Sequence, residues 1–411
     1  MARRVIAAAL RLLLRVFFRR IEVVGDVPRD PVIFAINHPN ALIDPLFLLC
    51  FAPRPVSFLA KAPLFRMPVI GWFTRALDAI PVYRRQDNVS TAGNRETFAR
   101  SREVLQRGGA IAIFPEGTTH SDPQLRELKT GAARIALGAA IRVSIVPAGL
   151  YYTAKQTFRS SALVYFGTPI AVEPEPVDAN GEPRPDSVER LTKEIEEALA
   201  AVTLQADSHS ALELIARAER IFTAGEDVAL ARELELRKQF VAGYAYLRER
   251  DPGRLTRLES MIQEVDAERL VPRARIAPQR LALVPFGVIG AAIHWPVYRL
   301  IGFLATHLSS REDEMVATVK AIAGAVLYPL MWIALAIATG LLAGVWWALF
   351  VLVALPLLGY AALVSLEALD DLRARVRRRD IAAQQQAIRD EVLSVAKSMS
   401  QSSSAGAAVE G

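Results

Sequence analysis

Hydrophobic and polar positions change their spacing several times along the chain. Between about residues 21 and 172, short runs rich in β-branched residues alternate with stretches of helical periodicity. Such runs predict buried strands, and strands alternating with helices predict an α/β domain with a mostly parallel sheet flanked by helices. The predicted strands are Val32–Ile36, Val56–Leu59, Ala79–Tyr83, Ala110–Phe114, Val143–Pro147 and Ala162–Phe166. The predicted helices are Leu42–Phe51, residues 88–107 and Gly131–Ala140.

Beyond this domain the pattern becomes helical and then strongly apolar. Residues 173–186 are rich in proline, which predicts a linker, and residues 187–275 have a charged helical pattern. Residues 316–364 contain two apolar stretches long enough to cross a bilayer, which takes roughly 20 residues, so a transmembrane helical hairpin is expected. The run 281–305 contains two prolines, a histidine and an arginine. It predicts a kinked apolar segment that spans the membrane, re-enters it or lies at its surface, and the sequence leaves these alternatives open.

Both end regions of the chain contain clusters of arginine. Residues 1–20 predict an amphipathic interfacial helix, because Arg11 and Arg15 interrupt the apolar core that a secretory signal needs. A helix packed on the α/β domain is the alternative. Residues 365–411 predict a charged helix with a disordered tail from about Gln401, and the arginines at 373–379 place that flank in the cytosol. The expected location is the inner, cytoplasmic membrane, with the α/β domain facing the cytosol.

Composition supports a membrane protein. The 411 residues are 52% hydrophobic and carry a net charge of +6. A basic balance suits nucleic acid or anionic lipid, but the arginines lie beside apolar segments and no aromatic-basic nucleic-acid module is visible. We therefore expect a lipid bilayer, and no nucleic acid, as a partner. Cys50 is the only cysteine, which excludes an intrachain disulfide and a cysteine metal cluster.

Two polar motifs follow predicted strands. His38 and Asp44 come after the strand Val32–Ile36, and a Glu-Gly-Thr turn that begins at Glu116 comes after the strand Ala110–Phe114. Because functional loops gather at the carboxyl ends of parallel strands, we expect the two motifs to converge. Imidazole can accept a hydroxyl proton at neutral pH, and a carboxylate can fix its tautomer. His38 and Asp44 are therefore the candidate catalytic pair for acyl transfer onto a hydroxyl.

A phosphorylated acceptor requires cationic and backbone donors. Arg84 follows a predicted strand, Gly117 and Thr118 offer backbone amides in a turn, and Lys129 lies just before a predicted helix whose amino end favours an anion. These four residues are the candidate phosphate-binding set. Glu116 is part of the candidate acceptor site too, but a carboxylate repels phosphate. We expect it to orient the turn or to bind acceptor hydroxyls, and we leave open whether the nearby His120 touches the acceptor.

In these motifs the chain resembles the glycerophospholipid acyltransferases of the lysophosphatidate acyltransferase type. The resemblance extends from Asn37 to about Ile170 and implies the same α/β fold and activity. Its four blocks, in order, are Asn37-His38 with Asp44, Gly71 to Arg84, Phe114 to Thr118 and Ile145 to Gly149. The resemblance to the fourth block implies that Pro147 shapes the acyl-donor site.

The spacing inside the first block departs from the common pattern. Five residues separate His38 from Asp44, where the family usually has four, and this variant resembles the yeast-type glycerol-3-phosphate and dihydroxyacetone-phosphate acyltransferases. In an unbroken helix the two side chains would lie about 240° apart, at roughly 100° per residue. A turn at Pro39-Asn40 must therefore bring them together.

The resemblance implies a membrane glycerolipid O-acyltransferase of EC class 2.3.1, acting in phospholipid biosynthesis. It would move a fatty acyl group directly from acyl-CoA or acyl-carrier protein to a hydroxyl of glycerol 3-phosphate or dihydroxyacetone phosphate. No cofactor, metal or covalent acyl-enzyme is expected. Acylation of lysophosphatidate to phosphatidate uses the same blocks and stays open, as does a broader lysophospholipid acyltransferase. A catalytically silent lipid-binding scaffold is a remote alternative, since His38, Asp44, Glu116 and Arg84 are all retained.

Overall fold

The computed structural model describes residues 2–83, 94–223, 226, 228–265, 281–309, 313–377 and 382–407. The chain divides into two units. The first comprises Met1–Gln205 with Ser309–Ala321, and the second comprises Ala206–Leu308 with Ile322–Gly411.

An eight-stranded sheet with six helices forms most of the first unit. All six predicted strands are present, and β1 and β8 were not predicted. The predicted helix at 88–107 begins, within the described residues, at Asn94. The strands are β1 Arg20–Val24, β2 Val32–Ile36, β3 Val56–Lys61, β4 Ile80–Val82, β5 Ala110–Ile113, β6 Val143–Tyr152, β7 Ser161–Phe166 and β8 Ile170–Val172. The helices are α1 Ala2–Phe17, α2 Ile43–Phe51, α3 Pro68–Ala76, α4 Asn94–Gln106, α5 Gly131–Leu137 and α6 Pro185–Val202, and a 3-10 helix covers Ala62–Arg66.

The strand order places β2 at the centre of the sheet. The order is β1-β7-β6-β2-β5-β3-β4, with β8 paired to β6. The strand β2 runs parallel to both β5 and β6, whereas β6 pairs antiparallel with β7 and β8. This confirms the mostly parallel sheet. Pairing of Val32 with Ala110 and of Ala35 with Ile113 brings the carboxyl ends of β2 and β5 to the same edge.

Alternate residues of the strands point to opposite faces of the sheet and are buried in two separate hydrophobic cores. Val32, Phe34 and Ile36 are buried on the face covered by α1 and α2, while Ile33 and Ala35 are buried on the face covered by α5 and α6. Each fully buried side chain of this size contributes roughly 1.5–3 kcal/mol relative to exposure. Because both faces are covered, the strands have the continuous apolar sequence expected of a buried parallel sheet.

The boundary of the α/β domain expected at residue 172 is too early. Helix α6 packs on the sheet through Leu191, Ile195 and Leu199, all of which are buried there. Residues Ser309–Ala321 also belong to this unit. Helical periodicity identifies an apolar face but not the surface that covers it, and for this reason the sequence assigned α6 to the following helical region.

The second unit is helical. Its helices are α7 His209–Phe222, α8 Leu230–Arg250, α9 Pro252–Glu264, α10 Val284–Leu308, α11 Asp313–Ala343, α12 Val345–Arg377 and α13 Ala382–Ala407, of which α11 begins in the first unit. Ile388 and Val395 of α13 share a core with Ile221, Leu247 and Ile262 of α7, α8 and α9. Anchored in this way, α13 continues to Ala407, so the disorder predicted from Gln401 is wrong for 401–407.

Three helices, α10, α11 and α12, are long and apolar enough to cross a membrane. The single residue Gly344, at φ +97°, separates α11 from α12, and the nearby Gly340 is helical. Helix α10 contains Pro296 and approaches α12 closely at Gly287 and Gly290, where an added β-carbon would overlap α12.

Candidate active site

The position of His38 is set by the residue before it. The Asn37 side chain accepts a hydrogen bond from the Leu150 amide (2.7 Å) and donates one to the Leu150 carbonyl (3.1 Å). These two bonds tie the end of β2 to β6. The backbone just before His38 is therefore fixed at the carboxyl edge of the sheet, although His38 itself lies in a loop.

His38 and Asp44 are in contact. The Nδ1 atom of His38 lies 2.9 Å from Oδ2 of Asp44. Helix α2 begins only at Ile43, and the preceding turn is closed by Asn40, whose amide donates to Asp44 Oδ2 (2.7 Å) and whose carbonyl accepts from the Asp44 amide (3.1 Å). The turn expected at Pro39-Asn40 is thus present, and it overcomes the six-residue spacing.

A buried tyrosine completes the surroundings of Asp44. The Tyr152 hydroxyl donates to Asp44 Oδ1 at 2.6 Å. Burial raises the pKa of the Asp44 carboxyl, and hydrogen bonds from His38, Tyr152 and the Asn40 amide oppose that shift. Burial and the neighbouring Asp44 raise the pKa of Tyr152 well above its usual value, so its hydroxyl stays a donor.

This arrangement defines the tautomer of His38. With Nδ1–H donating to Asp44, Nε2 carries a lone pair and can accept a proton. Nε2 has no partner among the described residues, and the His38 side chain is 15% exposed. The ring stacks on Phe114, with centroids 4.0 Å apart and planes at 19°. The packing limits ring rotation while one nitrogen stays accessible.

Glu116 lies against the His38 loop, which confirms the predicted convergence of the two motifs. Its Oε1 accepts from the His38 amide (3.1 Å), and its Oε2 accepts from the Arg126 amide (3.1 Å) and pairs with His120 Nε2. The residue is 3% exposed. Of the two roles expected for Glu116, this geometry supports orientation of the turn.

Several polar groups of the predicted phosphate-binding turn already form hydrogen bonds within the protein. Gly117, at φ +74°, donates its amide to the Phe114 carbonyl (3.0 Å), so this amide, expected to be offered to a phosphate, is already used within the turn. The amide closes the turn because Glu116 is held inward. Lys129 has an exposed side chain and donates its amide to the Pro115 carbonyl (2.7 Å). The Thr118 hydroxyl bonds the Thr119 carbonyl at 3.4 Å.

Arg84 lies outside the described residues, and its role stays a prediction. Pro147 lies in β6 between the segment paired with β8, Val143–Ile145, and the segment paired with β7, Ala148–Tyr152. Its carbonyl accepts a hydrogen bond from the Gly167 amide (2.8 Å). The nitrogen and the carbonyl of a strand residue point to the same side, so the Pro147 nitrogen, which carries no hydrogen, also points to the junction between β7 and β8. The proline therefore removes no hydrogen bond between paired strands. Its acyl-donor role also stays a prediction.

A cavity of about 180 Å³ opens beside His38. Gly117, Thr118, Lys129 and Pro147 do not line it. Ser121 and Lys155 are among the lining residues that sequence reasoning did not assign to the site. The signal for Lys155 was weak: one lysine in the loop after β6, whose place beside the His38 loop only the fold reveals. The described lining residues are Asn37, His38, Pro39, Glu116, His120, Ser121, Asp122, Gln124, Leu125, Lys155, Thr203, Leu204 and Gln205.

Among the described residues, no group of three or more histidine, cysteine, aspartate or glutamate side chains is placed to hold a metal ion. The expectation that neither metal nor cofactor is needed stays a prediction. Chemically, the site offers an imidazole with an accessible nitrogen, a buried carboxylate behind it and an adjacent polar cavity. This arrangement can remove a proton from a hydroxyl bound in the cavity.

Comparison with known proteins gives consistent matches. The acyltransferase family profile matches residues 20–151. Glycerol-3-phosphate O-acyltransferase 2 of Saccharomyces cerevisiae is 30% identical over 177 residues, which are 42% of this chain and 24% of that protein. Glycerol-3-phosphate O-acyltransferase 1 of the same yeast is 27% identical over 383 residues, which are 67% of this chain and 50% of that protein. This chain thus spans from about a quarter to a half of the two yeast relatives.

A plant relative also matches part of this chain. A chloroplastic 1-acyl-sn-glycerol-3-phosphate acyltransferase of Arabidopsis thaliana is 30% identical over 137 residues, which are 33% of this chain and 36% of that protein. The similarity to the glycerol-3-phosphate enzymes therefore extends further along this chain than the similarity to the plant enzyme.

Proposed function

Residues 20–151 form a domain of the acyltransferase family, and on that premise we propose that the chain acylates a hydroxyl of glycerol 3-phosphate or dihydroxyacetone phosphate. The acyl donor is acyl-CoA or acyl-carrier protein. One observation carries the proposal: His38 is held by Asp44 through Nδ1 while Nε2 stays free beside a polar cavity.

The reaction is direct transfer. His38 Nε2 takes the proton of the acceptor hydroxyl as its oxygen attacks the thioester carbonyl carbon. Asp44 stabilises the resulting imidazolium, as a carboxylate does behind a catalytic histidine. When the intermediate collapses, the carbon–sulfur bond breaks and the imidazolium returns its proton to the leaving thiolate. Atoms and charge balance without a cofactor, a metal or a covalent acyl-enzyme.

Lysophosphatidate is the second candidate acceptor. The matched segment of the plant 1-acyl-sn-glycerol-3-phosphate acyltransferase supports it. The longer matches to the yeast glycerol-3-phosphate enzymes favour the first acylation step. An intact His38–Asp44 pair with a free Nε2 argues against a silent lipid-binding scaffold.

The test compares acceptors on one preparation. Purified, detergent-solubilised full chain is given a long-chain acyl-CoA with glycerol 3-phosphate, dihydroxyacetone phosphate or lysophosphatidate, and His38→Ala serves as the blank. We expect the largest kcat/KM with glycerol 3-phosphate or dihydroxyacetone phosphate. Faster transfer to lysophosphatidate would assign the second step, and no transfer to any of the three would overturn the proposal.

We further propose that two of the three apolar helices cross the membrane. Helix α13 follows all three in sequence, yet its Ile388 and Val395 share a core with α7, α8 and α9, which precede them. Both groups therefore lie on one side of the bilayer. An even number of crossings must separate Val265 from Ala382.

The start of α11 supports α10 as the helix that does not cross. Thr318 Oγ1 accepts from the Leu42 amide (3.2 Å), and Lys320 Nζ donates to the Gln156 carbonyl (2.7 Å), so this end of α11 lies on the acyltransferase domain. Residues 203–208, between α6 and α7, are too few to cross a bilayer. Both ends of α10 then face the same compartment. The crossing pair is α11 and α12, which agrees with the hairpin predicted at 316–364.

The contacts of α10 agree with a helix that stays in one leaflet. Near its end, Ile301 reaches Gly324 at the beginning of α11, and near its start, Gly287 lies against Ser365 towards the end of α12. Both partners lie about 20 residues from the Gly344 turn, near the ends of the hairpin that are remote from it. Trp346, beside the Gly344 turn, is 80% exposed, as a residue at the opposite interface would be.

The arginines at 373–379, at the end of α12 and just beyond it, support a cytosolic position for this side, because cytoplasmic flanks carry an excess of basic residues. Helix α1 fits the same surface through Val5, Leu12 and Val16, which are exposed on one face, while its opposite face packs through the buried Leu14 and Phe17. The sequence left two alternatives for this helix, lying at the membrane surface or packing on the α/β domain. In this proposal α1 does both, with one face for each.

Thiol labelling tests this topology. An impermeant maleimide is applied to intact cells and to inverted membrane vesicles carrying Leu281→Cys, Thr306→Cys or Leu342→Cys. Leu281 precedes α10 and Thr306 lies in its last turn, so the first two variants should be labelled only in inverted vesicles. The third should be labelled only in intact cells. Unmodified chain is the control, because Cys50 is buried and burial raises its pKa to about 11. Labelling of Leu281→Cys and Thr306→Cys from opposite sides would show that α10 crosses.

A further inference from the structure

Lys155 is the only lysine or arginine among the described residues that line the cavity beside His38. Its loop joins β6 to β7, outside the motifs that sequence analysis assigned to the acceptor. The ammonium group donates to the Pro39 carbonyl (3.2 Å) and to the Ser121 hydroxyl. An ammonium group has three hydrogens, so one remains without a partner among the described residues.

Ser121 is held by a second charged residue. Its hydroxyl donates to Glu314 Oε1, at the start of α11, so its oxygen presents lone pairs to Lys155. Burial lowers the pKa of Lys155, and the nearby carboxylates of Glu314, Asp313 and Asp44 oppose that shift. A partly buried cation is thus fixed in position beside the loop that carries the candidate base.

The carboxylates that line the cavity already have partners. Glu116 accepts from two backbone amides and pairs with His120, and Asp122 pairs with Arg126 at 2.5 Å. Lys155 retains an unused donor. An anionic group that enters the cavity can therefore accept a hydrogen bond from Lys155. The carboxylates of Glu116 and Asp122 repel it less, because both are already paired.

We propose that Lys155 binds the phosphate of the acceptor and thereby holds the acceptor in the cavity that His38 lines. The inference rests on the proposed function and assigns a residue to its acceptor site. Lys155 and His38 both line the cavity, and the ammonium group holds the carbonyl of Pro39, the residue after His38. A phosphate monoester bound here shares the cavity with the base. Gly117 and Lys129 lie outside it.

The test uses the full chain with three substitutions. Lys155→Met removes the charge at similar volume, Lys155→Arg keeps it, and Lys193→Met is the matched control on the exposed face of α6. Losing one charged hydrogen bond should raise the acceptor KM by roughly 10- to 100-fold. We expect kcat and the acyl-CoA KM to change by less than about threefold, since uniform binding is what is lost. Lys155→Arg should recover most of the acceptor affinity.

A second readout does not require transfer. Glycerol 3-phosphate should raise the melting temperature of wild type and of Lys193→Met, and should leave Lys155→Met unshifted. Equal shifts in wild type and Lys155→Met would overturn the proposal. A fall in kcat at unchanged acceptor KM would also overturn it, because Lys155 would then only position the Pro39 loop. If wild type shows the thermal shift but acylates none of the acceptors, the proposed function fails and the phosphate site stands.

Discussion

Two histidine–carboxylate pairs lie at the same edge of the sheet, and they are built differently. His38 meets Asp44 through Nδ1, which leaves Nε2 without a partner among the described residues. His120 meets Glu116 through Nε2, and its Nδ1 accepts from the Asp122 amide at 3.2 Å. Both carboxylates are buried. The difference shows that an acidic neighbour does not make a histidine a base, because one ring nitrogen must also stay free.

The second pair supports the first. Glu116 accepts from the His38 amide, and the His120 amide donates to the His38 carbonyl at 3.2 Å. The peptide groups on both sides of the His38 side chain are therefore held by the Glu116–His120 pair. In this account the first pair moves protons, and the second keeps the base in place. Substitutions should separate these roles.

The largest effect is expected for His38→Ala. Loss of a general base typically lowers kcat by roughly 10²- to 10⁴-fold. The side chain is partly exposed and does not belong to the apolar cores, so the variant should stay folded and membrane-bound. Steady-state transfer and the melting temperature measure the two effects. A kcat within a few-fold of wild type would remove His38 from the mechanism.

Asp44→Asn should follow, with kcat lower by roughly 10²- to 10³-fold. An amide can donate to Nδ1, which moves the ring proton to Nε2 and abolishes its acceptor capacity. The acceptor and donor KM values should change little. A loss confined to KM would mean that Asp44 shapes the cavity and does not set the tautomer.

The same variant gives a pH test. A carboxyl whose pKa is raised on folding binds more protons in the folded chain, so its stabilising contribution is lost as pH rises through the folded pKa. The unfolded value is about 3.9. The melting temperature of wild type relative to Asp44→Asn should therefore fall as pH rises above about 4. A rise in this difference would contradict the role assigned to burial.

Tyr152→Phe should have a smaller effect. It removes the 2.6 Å bond to Asp44 Oδ1 and leaves that buried oxygen unpaired, which costs roughly 1–3 kcal/mol. We expect kcat to fall about tenfold through looser support of Asp44. Kinetics and thermal melting of Tyr152→Phe beside wild type check both values. No change in either would show that the hydroxyl is dispensable.

The smallest kinetic effect is expected for His120→Ala. It should lower stability by roughly 1–3 kcal/mol, because the buried Glu116 Oε2 loses the His120 side chain and keeps only the Arg126 amide as a partner. It should change kcat by less than about tenfold, since no reacting proton passes through His120. His120→Gln, which keeps a donor, is the control and should regain stability. A kcat loss as large as that of His38→Ala would erase the contrast between the pairs.

Sequence predicted the parts of this site that local rules control. The convergence of His38 and Glu116 follows from strands that end at one edge, and the turn at Pro39-Asn40 follows from the angular separation around a helix. Both are present in the structure. Tyr152 was missed because β6 was expected to end at Pro147. The strand continues since the proline lies at the junction where β6 changes partner from β8 to β7.

Lys155 and Glu314 could not be predicted from the sequence, for a different reason. Ser121 and Glu314 are 193 residues apart, and Lys155 meets the Pro39 carbonyl from 116 residues away. No periodicity or motif links such positions, because the docking of the start of α11 on the domain brings them together. The same limit applies to α6, whose apolar face was visible in the sequence but whose covering surface was not.

The most direct test of the account measures acyl transfer in wild type, His38→Ala, Asp44→Asn and the double variant under identical conditions. If the pair acts as one unit, the double variant should have a kcat within about threefold of His38→Ala, since the carboxylate serves only through the imidazole. Losses that multiply in the double variant would show that Asp44 acts independently of His38 and would contradict the central claim.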